Sequence, residues 1–234
     1  MTNRDLQKAR IRRYFIEAAR QIIERDGIQG VTIRKVADIA GYNSATLYNY
    51  FPDLSHLIFF AAMTFVKQYT DDLPHYIAQA NNALDEYLLI WECFCKHSFS
   101  QPEIYHALFE ANLGPLPEDM VNSYYRLWPE DLENVPKELL PMVLESNLSK
   151  RAEISLKKCV DEGFVKAELV PEVNELVVTI YRGMFSLFFN NRTKYTVAEA
   201  TAKTCQYIRA VIVRSAELFS RPSIVPMGWP PSQA

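Results

Sequence analysis

The side chains with the most evident chemistry cluster between Thr32 and Asn49. Thr32, Ser44, Thr46 and Tyr48 carry hydroxyls, Asn49 an amide, Arg34 a guanidinium, and Ala45 is small. Hydroxyls and amides bond phosphate oxygens, a guanidinium can reach a base edge, and short residues let a backbone approach a groove closely. Tyr48 and Thr32 are therefore read as phosphate contacts. Arg34, Ser44, Ala45 and Thr46 are read as approaching base edges, with Asn49 on the same exposed side.

The elements that must position these groups are two short helices joined at a glycine, the plan of a helix-turn-helix. The Thr32 hydroxyl can cap the first helix. Ile33, Val36, Ala37 and Ala40 recur at i, i+3, i+4 and i+7, one buried stripe. Gly41 suits a turn that needs positive φ. Asn43 or Ser44 can cap the second helix, which runs toward Phe51 and turns Leu47, Tyr50 and Phe51 inward. A longer helix from about residue 5 to Asp26 precedes the pair, with Ile11, Phe15, Ala18 and Ile22 on one stripe and Gly27 ending it.

Residues 8–57 resemble the tetracycline-repressor (TetR) family of bacterial transcription regulators. The resemblance rests on Ala18-Ala19, Ile22-Ile23, Gly27, Gly30-Val31-Thr32-Ile33-Arg34, Val36-Ala37, Ala40-Gly41-Tyr42, Thr46-Leu47-Tyr48-Asn49-Tyr50-Phe51-Pro52 and Leu57. It implies that Arg34 occupies a position that reaches DNA. It also implies a small-molecule effector in the C-terminal part. Two cations common in the family are replaced here, one by Ser44 and one within Leu54-Ser55.

Charge agrees with that placement. Residues 1–50 hold nine Lys/Arg and five Asp/Glu, whereas the whole chain has a net charge of −3. A basic end on an acidic chain concentrates attraction for phosphate at one face. Lys8, Arg10, Arg12 and Arg13 are expected to extend that face. At 234 residues with 49% hydrophobic and 12% aromatic content, the chain can bury a large core. No leader segment and no apolar run near the ~20 residues of a membrane span is read, so the expected compartment is the cytoplasm with no membrane partner. Cys93, Cys95, Cys159 and Cys205 do not form a disulfide framework.

Beyond the head the chain reads helix after helix. Asp53 can cap a connector helix to about Asp72, where Pro74 interrupts. Helices follow at about 83–99 and from Pro102, and then short pieces across 114–141, broken by prolines and including one with Tyr124, Tyr125, Leu127 and Trp128. A helix from about 140 to 162 is stopped by Gly163, and its middle, with Lys150 and Arg151, is read as charged. Pro171 opens a helix to about Asn190, and Thr196-Val-Ala-Glu199 is a capping box opening another to about Phe219. Both are apolar over more than one face, which asks for burial on two sides. Residues 163–219 loosely resemble the same family's C-terminal part, where two such helices form a four-helix dimer interface. Phe188, Ile208 and Ile212 are assigned to it. The tail from Arg221 has four prolines and is expected to be extended.

No catalytic constellation, glycine-rich phosphate loop or metal-ligand spacing is read, so neither enzyme activity, cofactor nor metal is expected. Cys93 and His97 lie at i, i+4, but Cys95 diverges from them. The aromatics matter more. Trp91, Phe94, Tyr105, Phe109, Tyr124, Trp128 and Phe185 are expected to hold an apolar or aromatic effector, with Glu110 and Arg182 as nearby charges able to select a ligand of opposite sign. The expectation is an all-α chain with a helix-turn-helix DNA-binding domain at 1–52, a ligand-binding and dimerisation domain at 53–220 and a tail at 221–234. It would act as a homodimeric, ligand-responsive repressor on a palindromic operator in double-stranded DNA. The alternative is an aromatic-pocket enzyme or small-molecule carrier with a helical interaction module.

Overall fold

A computed structural model describes residues 3–111 and 120–219. The expected tail at 221–234, with Pro115 and Pro117, lies outside the described residues. Among the described residues every regular element is helical. Helix α1 (Asn3–Asp26) ends where Gly27 takes φ 74°, and α2 (Ile33–Ala40) and α3 (Ser44–Leu47) follow. The Thr32 hydroxyl accepts the Lys35 N–H at 3.3 Å and opens α2. Gly41 closes it with φ 76°, a backbone that side chains adopt poorly. The Asn43 side chain accepts the Thr46 N–H at 2.9 Å and opens α3. The second motif helix is shorter than expected. It makes one α-turn and relaxes through tighter turns to Tyr50 and Phe51.

Helix α4 (Leu54–Ile77) is capped by Asp53, whose carboxylate accepts the His56 N–H at 3.0 Å. The expected stop near Asp72 is wrong, because α4 passes through Pro74 for another turn. Proline costs a helix one backbone bond and crowds the preceding turn. Burial of Leu73 and packing of Tyr76 and Ile77 against the core offset that loss. Helices α5 (Ala83–Ser100), α6 (Pro102–Phe109) and α7 (Met120–Leu127) come next.

The single helix expected over 140–162 is two, α8 (Leu140–Val143) and α9 (Leu148–Asp161). Asn147 breaks the run by capping α9, accepting the Lys150 N–H at 3.1 Å. Arg151 then reaches back, its Nη1 donating to the carbonyls of Val143 at 3.0 Å and Glu145 at 3.2 Å. The break therefore turns an expected surface charge into a buried one.

Helices α10 (Val170–Phe189) and α11 (Val197–Phe219) close the fold. The capping box forms as read, with the Glu199 carboxylate accepting the Thr196 N–H at 2.8 Å and Thr196 Oγ accepting the Glu199 N–H at 3.2 Å. Helices α4, α5, α9, α10 and α11 pack around one core, and α1 joins it through α4. Ile208 and Ile212 point into this core and are fully buried within the chain, so neither can face a partner. The outward side chains are Leu187 of α10 and Tyr207, Val213 and Leu218 of α11, with Val213 62% exposed. Among the described residues no helix is long and apolar enough to cross a membrane.

Candidate nucleic-acid interface and buried aromatic cluster

The head presents one exposed edge built by α2 and α3. Thr32, Arg34, Ser44, Ala45, Tyr48 and Asn49 are exposed, and Thr46 is half-buried. Tyr48 is 54% exposed although its neighbour Leu47 is fully buried, so the one-turn helix splits cleanly into a core face and a solvent face. Thr32 Oγ accepts from its own helix and keeps its hydrogen for an outside acceptor. Thr46 Oγ donates to Asn43 Oδ1 at 3.0 Å, which leaves its lone pairs free to accept. Lys35 is tied back to Asp26 at 3.1 Å and the Gly30 carbonyl at 3.2 Å. Hydrogen bonds from Arg25 and Lys35 hold the Asp26 carboxyl well below the usual range.

Two arginines expected on the basic face lie elsewhere. Arg12 stands over the rings of Phe51, at 5.5 Å, and Phe60, at 4.8 Å. Arg13 stands 4.8 Å from the Trp128 ring, and its guanidinium donates to the Leu127 carbonyl and pairs with Glu130 at 3.0 Å. Both cations dock the head onto α4 and the end of α7, where stacking on aromatic faces offsets their partial desolvation. Lys8 and Arg10 remain exposed.

Of the seven aromatics expected to share one site, four are contiguous. Phe94 stands 5.9 Å from Trp91, 5.5 Å from Tyr105 and 5.5 Å from Phe109. Phe185 joins through Tyr181, at 5.7 Å. Tyr124 and Trp128 form a separate stack 4.9 Å apart, beneath Arg13. The Tyr124 hydroxyl donates to Asp131 at 2.6 Å, and burial pushes the Asp131 carboxyl above the usual range. The neighbouring Tyr125, one position on, lines the cavity that Tyr124 was expected to line. Arg182 and Glu110 pair with each other at 3.0 Å and so neutralise one another.

Sequence reasoning missed Arg151 and Tyr69 and left Tyr125 out of the ligand set; Arg151 shares one cavity with Tyr69 and another with Tyr125, between α4, α7 and α9. Two small cavities flank the Arg151 guanidinium, one of about 20 Å³ beside Tyr69, Trp91 and Phe94, the other of about 10 Å³ beside Phe109 and Tyr125. A signal was present. Leu148, Arg151, Ala152 and Ser155 share a helical stripe, and Asn147 ahead of them is a capping residue. The cysteine and histidine geometry points apart. Cys93 donates to the Tyr69 carbonyl, and His97 pairs with Asp72 at 3.0 Å.

A capped helix-turn-helix with an exposed polar edge, docked on a larger helical body, is the build of a DNA-binding transcription regulator. Residues 15–58 match the family model for bacterial regulatory proteins of the tetR family. Its fold is similar to that of RolR in complex with resorcinol, at 14% identity over 93% of this chain and 96% of that one, with a TM-score of 0.60. It is also similar to FadR of Thermus thermophilus, a TetR-family repressor in complex with lauroyl-CoA, at 14% identity over 93% and 100%, with a TM-score of 0.58. A protein of unknown function from Rhodococcus sp. RHA1 matches at 14% identity over 86% and 94%, with a TM-score of 0.58. No curated protein sequence matches the chain.

Proposed function

We propose that the chain is a homodimeric, effector-released repressor, with DNA read by residues 1–52 and the effector held between the helices of residues 53–220. The observation that carries this reading is the physical link between the aromatic interior and the head. Helix α7 puts Tyr125 on the cavity beside Arg151, and its end holds Arg13 of α1 through Leu127 and Trp128. A molecule that moves α7 therefore moves α1 and with it the exposed edge. Helix α4 gives a second route, from Phe60 under Arg12 to Tyr69 beside Arg151. The resorcinol and lauroyl-CoA bound by two similar structures support effector binding in this body.

Two heads on one duplex require a dimer whose spacing sets affinity. Leu187, Tyr207, Val213 and Leu218 are the apolar side chains that α10 and α11 leave uncovered. Gly183, one turn before Leu187 on α10, leaves open space, where a Cβ would meet nothing within 4 Å. A second copy packed on these side chains would complete a four-helix interface.

At the DNA edge, Tyr48→Ala should weaken binding to all sequences roughly alike, as loss of a phosphate contact does. Arg34→Ala should relax preference at one base pair by about 1–3 kcal/mol. Fluorescence anisotropy on matched and mismatched duplexes measures both, and unchanged curves for both variants would remove this edge from DNA recognition. For the effector, a thermal-shift screen of largely apolar compounds should yield ligands that stabilise the protein and lower DNA affinity by about 5–150-fold. Responses confined to metal ions or to molecules without apolar surface would contradict the chamber.

A further inference from the structure

The proposed effector chamber contains a charge that apolar recognition does not explain. Arg151 is only 7% exposed. Its Nη1 is used by two backbone carbonyls, and its guanidinium carbon stands 5.6 Å from the Phe109 ring centroid. Among the described residues no carboxylate forms an ion pair with it. Glu145, the acidic residue lining the same cavity, has turned one carboxylate oxygen to accept the Asn147 N–H at 2.8 Å. A buried cation without an anion is strongly unfavourable, and neutral carbonyls compensate it only in part.

Beyond those two carbonyls, Arg151 brings donors to the cavity. A guanidinium carries five N–H donors in a planar fork that matches a carboxylate. The Tyr105 hydroxyl is buried and finds no hydrogen-bond partner, and its ring stands 5.5 Å from Phe94 and 6.1 Å from Phe109, which line the cavities on either side of Arg151. Burial pushes the Tyr69 phenol up to about 12 against the pull of Arg151, so it stays protonated at neutral pH. A protonated phenol can donate to an anion, and two phenols near a fixed positive charge are complementary to a ligand atom pair that only accepts. Besides Glu145, Ser146 and Ser155 the remaining walls are apolar, with Trp91, Phe94 and Phe109 among them.

We infer that the effector is an aromatic carboxylic acid, its carboxylate held by Arg151 and the Tyr105 hydroxyl and its apolar body laid against Trp91, Phe94 and Phe109. The inference rests on the proposed reading of this body as an effector chamber, and it deepens that reading by naming the ligand class. The flanking cavities of about 20 and 10 Å³ are each near the size of one water, so the acid must part the walls to enter. Arg151 secures the wall at the α8–α9 break through Val143 and Glu145. A carboxylate that draws the guanidinium away loosens that break, which ties ligand charge to the structural response.

The test compares acids with their uncharged amides: benzoate with benzamide, phenylacetate with phenylacetamide, and 2-naphthoate with 2-naphthamide. Calorimetry on the full chain reads binding, and anisotropy reads DNA release. At least one acid should bind tenfold or more tighter than its amide, the scale of a charge-assisted hydrogen bond. Arg151→Met should abolish that preference, and Arg151→Lys, which keeps the charge, should retain part of it. If Arg151→Met fails to fold, the wild-type acid–amide ratio and Arg151→Lys decide. Amides that bind as tightly as the acids and release DNA would overturn the acid reading while leaving the effector chamber standing. If no member of the set binds or releases DNA, both readings fall.

Discussion

Phe51→Ala is expected to unfold or detach the head, at a cost of about 3–5 kcal/mol, the range for truncating a buried phenylalanine. Phe51 is 1% exposed and lies where the motif returns to α1 and α4. Its ring stands edge-on to Phe15 at 6.4 Å and to Phe60 at 5.8 Å, and Arg12 stands over it at 5.5 Å. Truncation leaves a cavity between three elements and strips one of the two aromatic faces from a partly desolvated guanidinium. The short α3 has no stability of its own, since a four-residue helix depends on tertiary packing. DNA binding should therefore vanish while most of the helical circular dichroism remains, because the larger core is untouched. Urea unfolding followed at both signals measures this. A loss below about 1 kcal/mol would mean that Phe51 does not anchor the head.

Leu187→Asp combined with Val213→Glu is expected to convert the proposed dimer into folded monomers. Both side chains are exposed on the chain, at 46% and 62%, so charge there should not disturb the core. A single head loses the second, tethered half-site, which is worth about 10²–10⁴-fold in apparent affinity. Ile212→Glu should behave differently. Ile212 is fully buried, so a charge there should unfold the chain instead of dissociating it. Sedimentation separates these outcomes, and a wild-type chain that sediments as a stable monomer at micromolar concentration would contradict the dimer.

The head was legible because each of its devices is local. Thr32, Gly41, Asn43 and Asp53 act within three or four residues, and the structure has all four as caps or turns. The interior was less legible because its decisive contacts are distant. Arg13 meets Leu127 across 114 positions, and nothing near Arg13 in the chain announces an aromatic partner. Local propensity at Pro74 argues for a stop, whereas the burial of Leu73 outweighs it. Reading 140–162 as one helix hid Arg151 among neighbouring charges. Asn147 reverses that reading, since a new start at Leu148 turns Arg151 inward with Ala152 and Leu156. The aromatic stripes were visible at helical spacing, but which side of α7 faced the chamber was not. Tyr124 went to Asp131 and Tyr125 to the cavity.

The most direct test of the central claim, that this chain reads DNA as a pair of helix-turn-helix heads, is in vitro selection from a random duplex library with the wild-type protein. A palindrome should be enriched whose half-sites lie about one helical turn, or a multiple of it, apart. Affinity for the selected duplex should fall steeply with salt, as phosphate contacts release counterions. No enriched sequence, or a single unpaired half-site bound with little salt dependence, would contradict it.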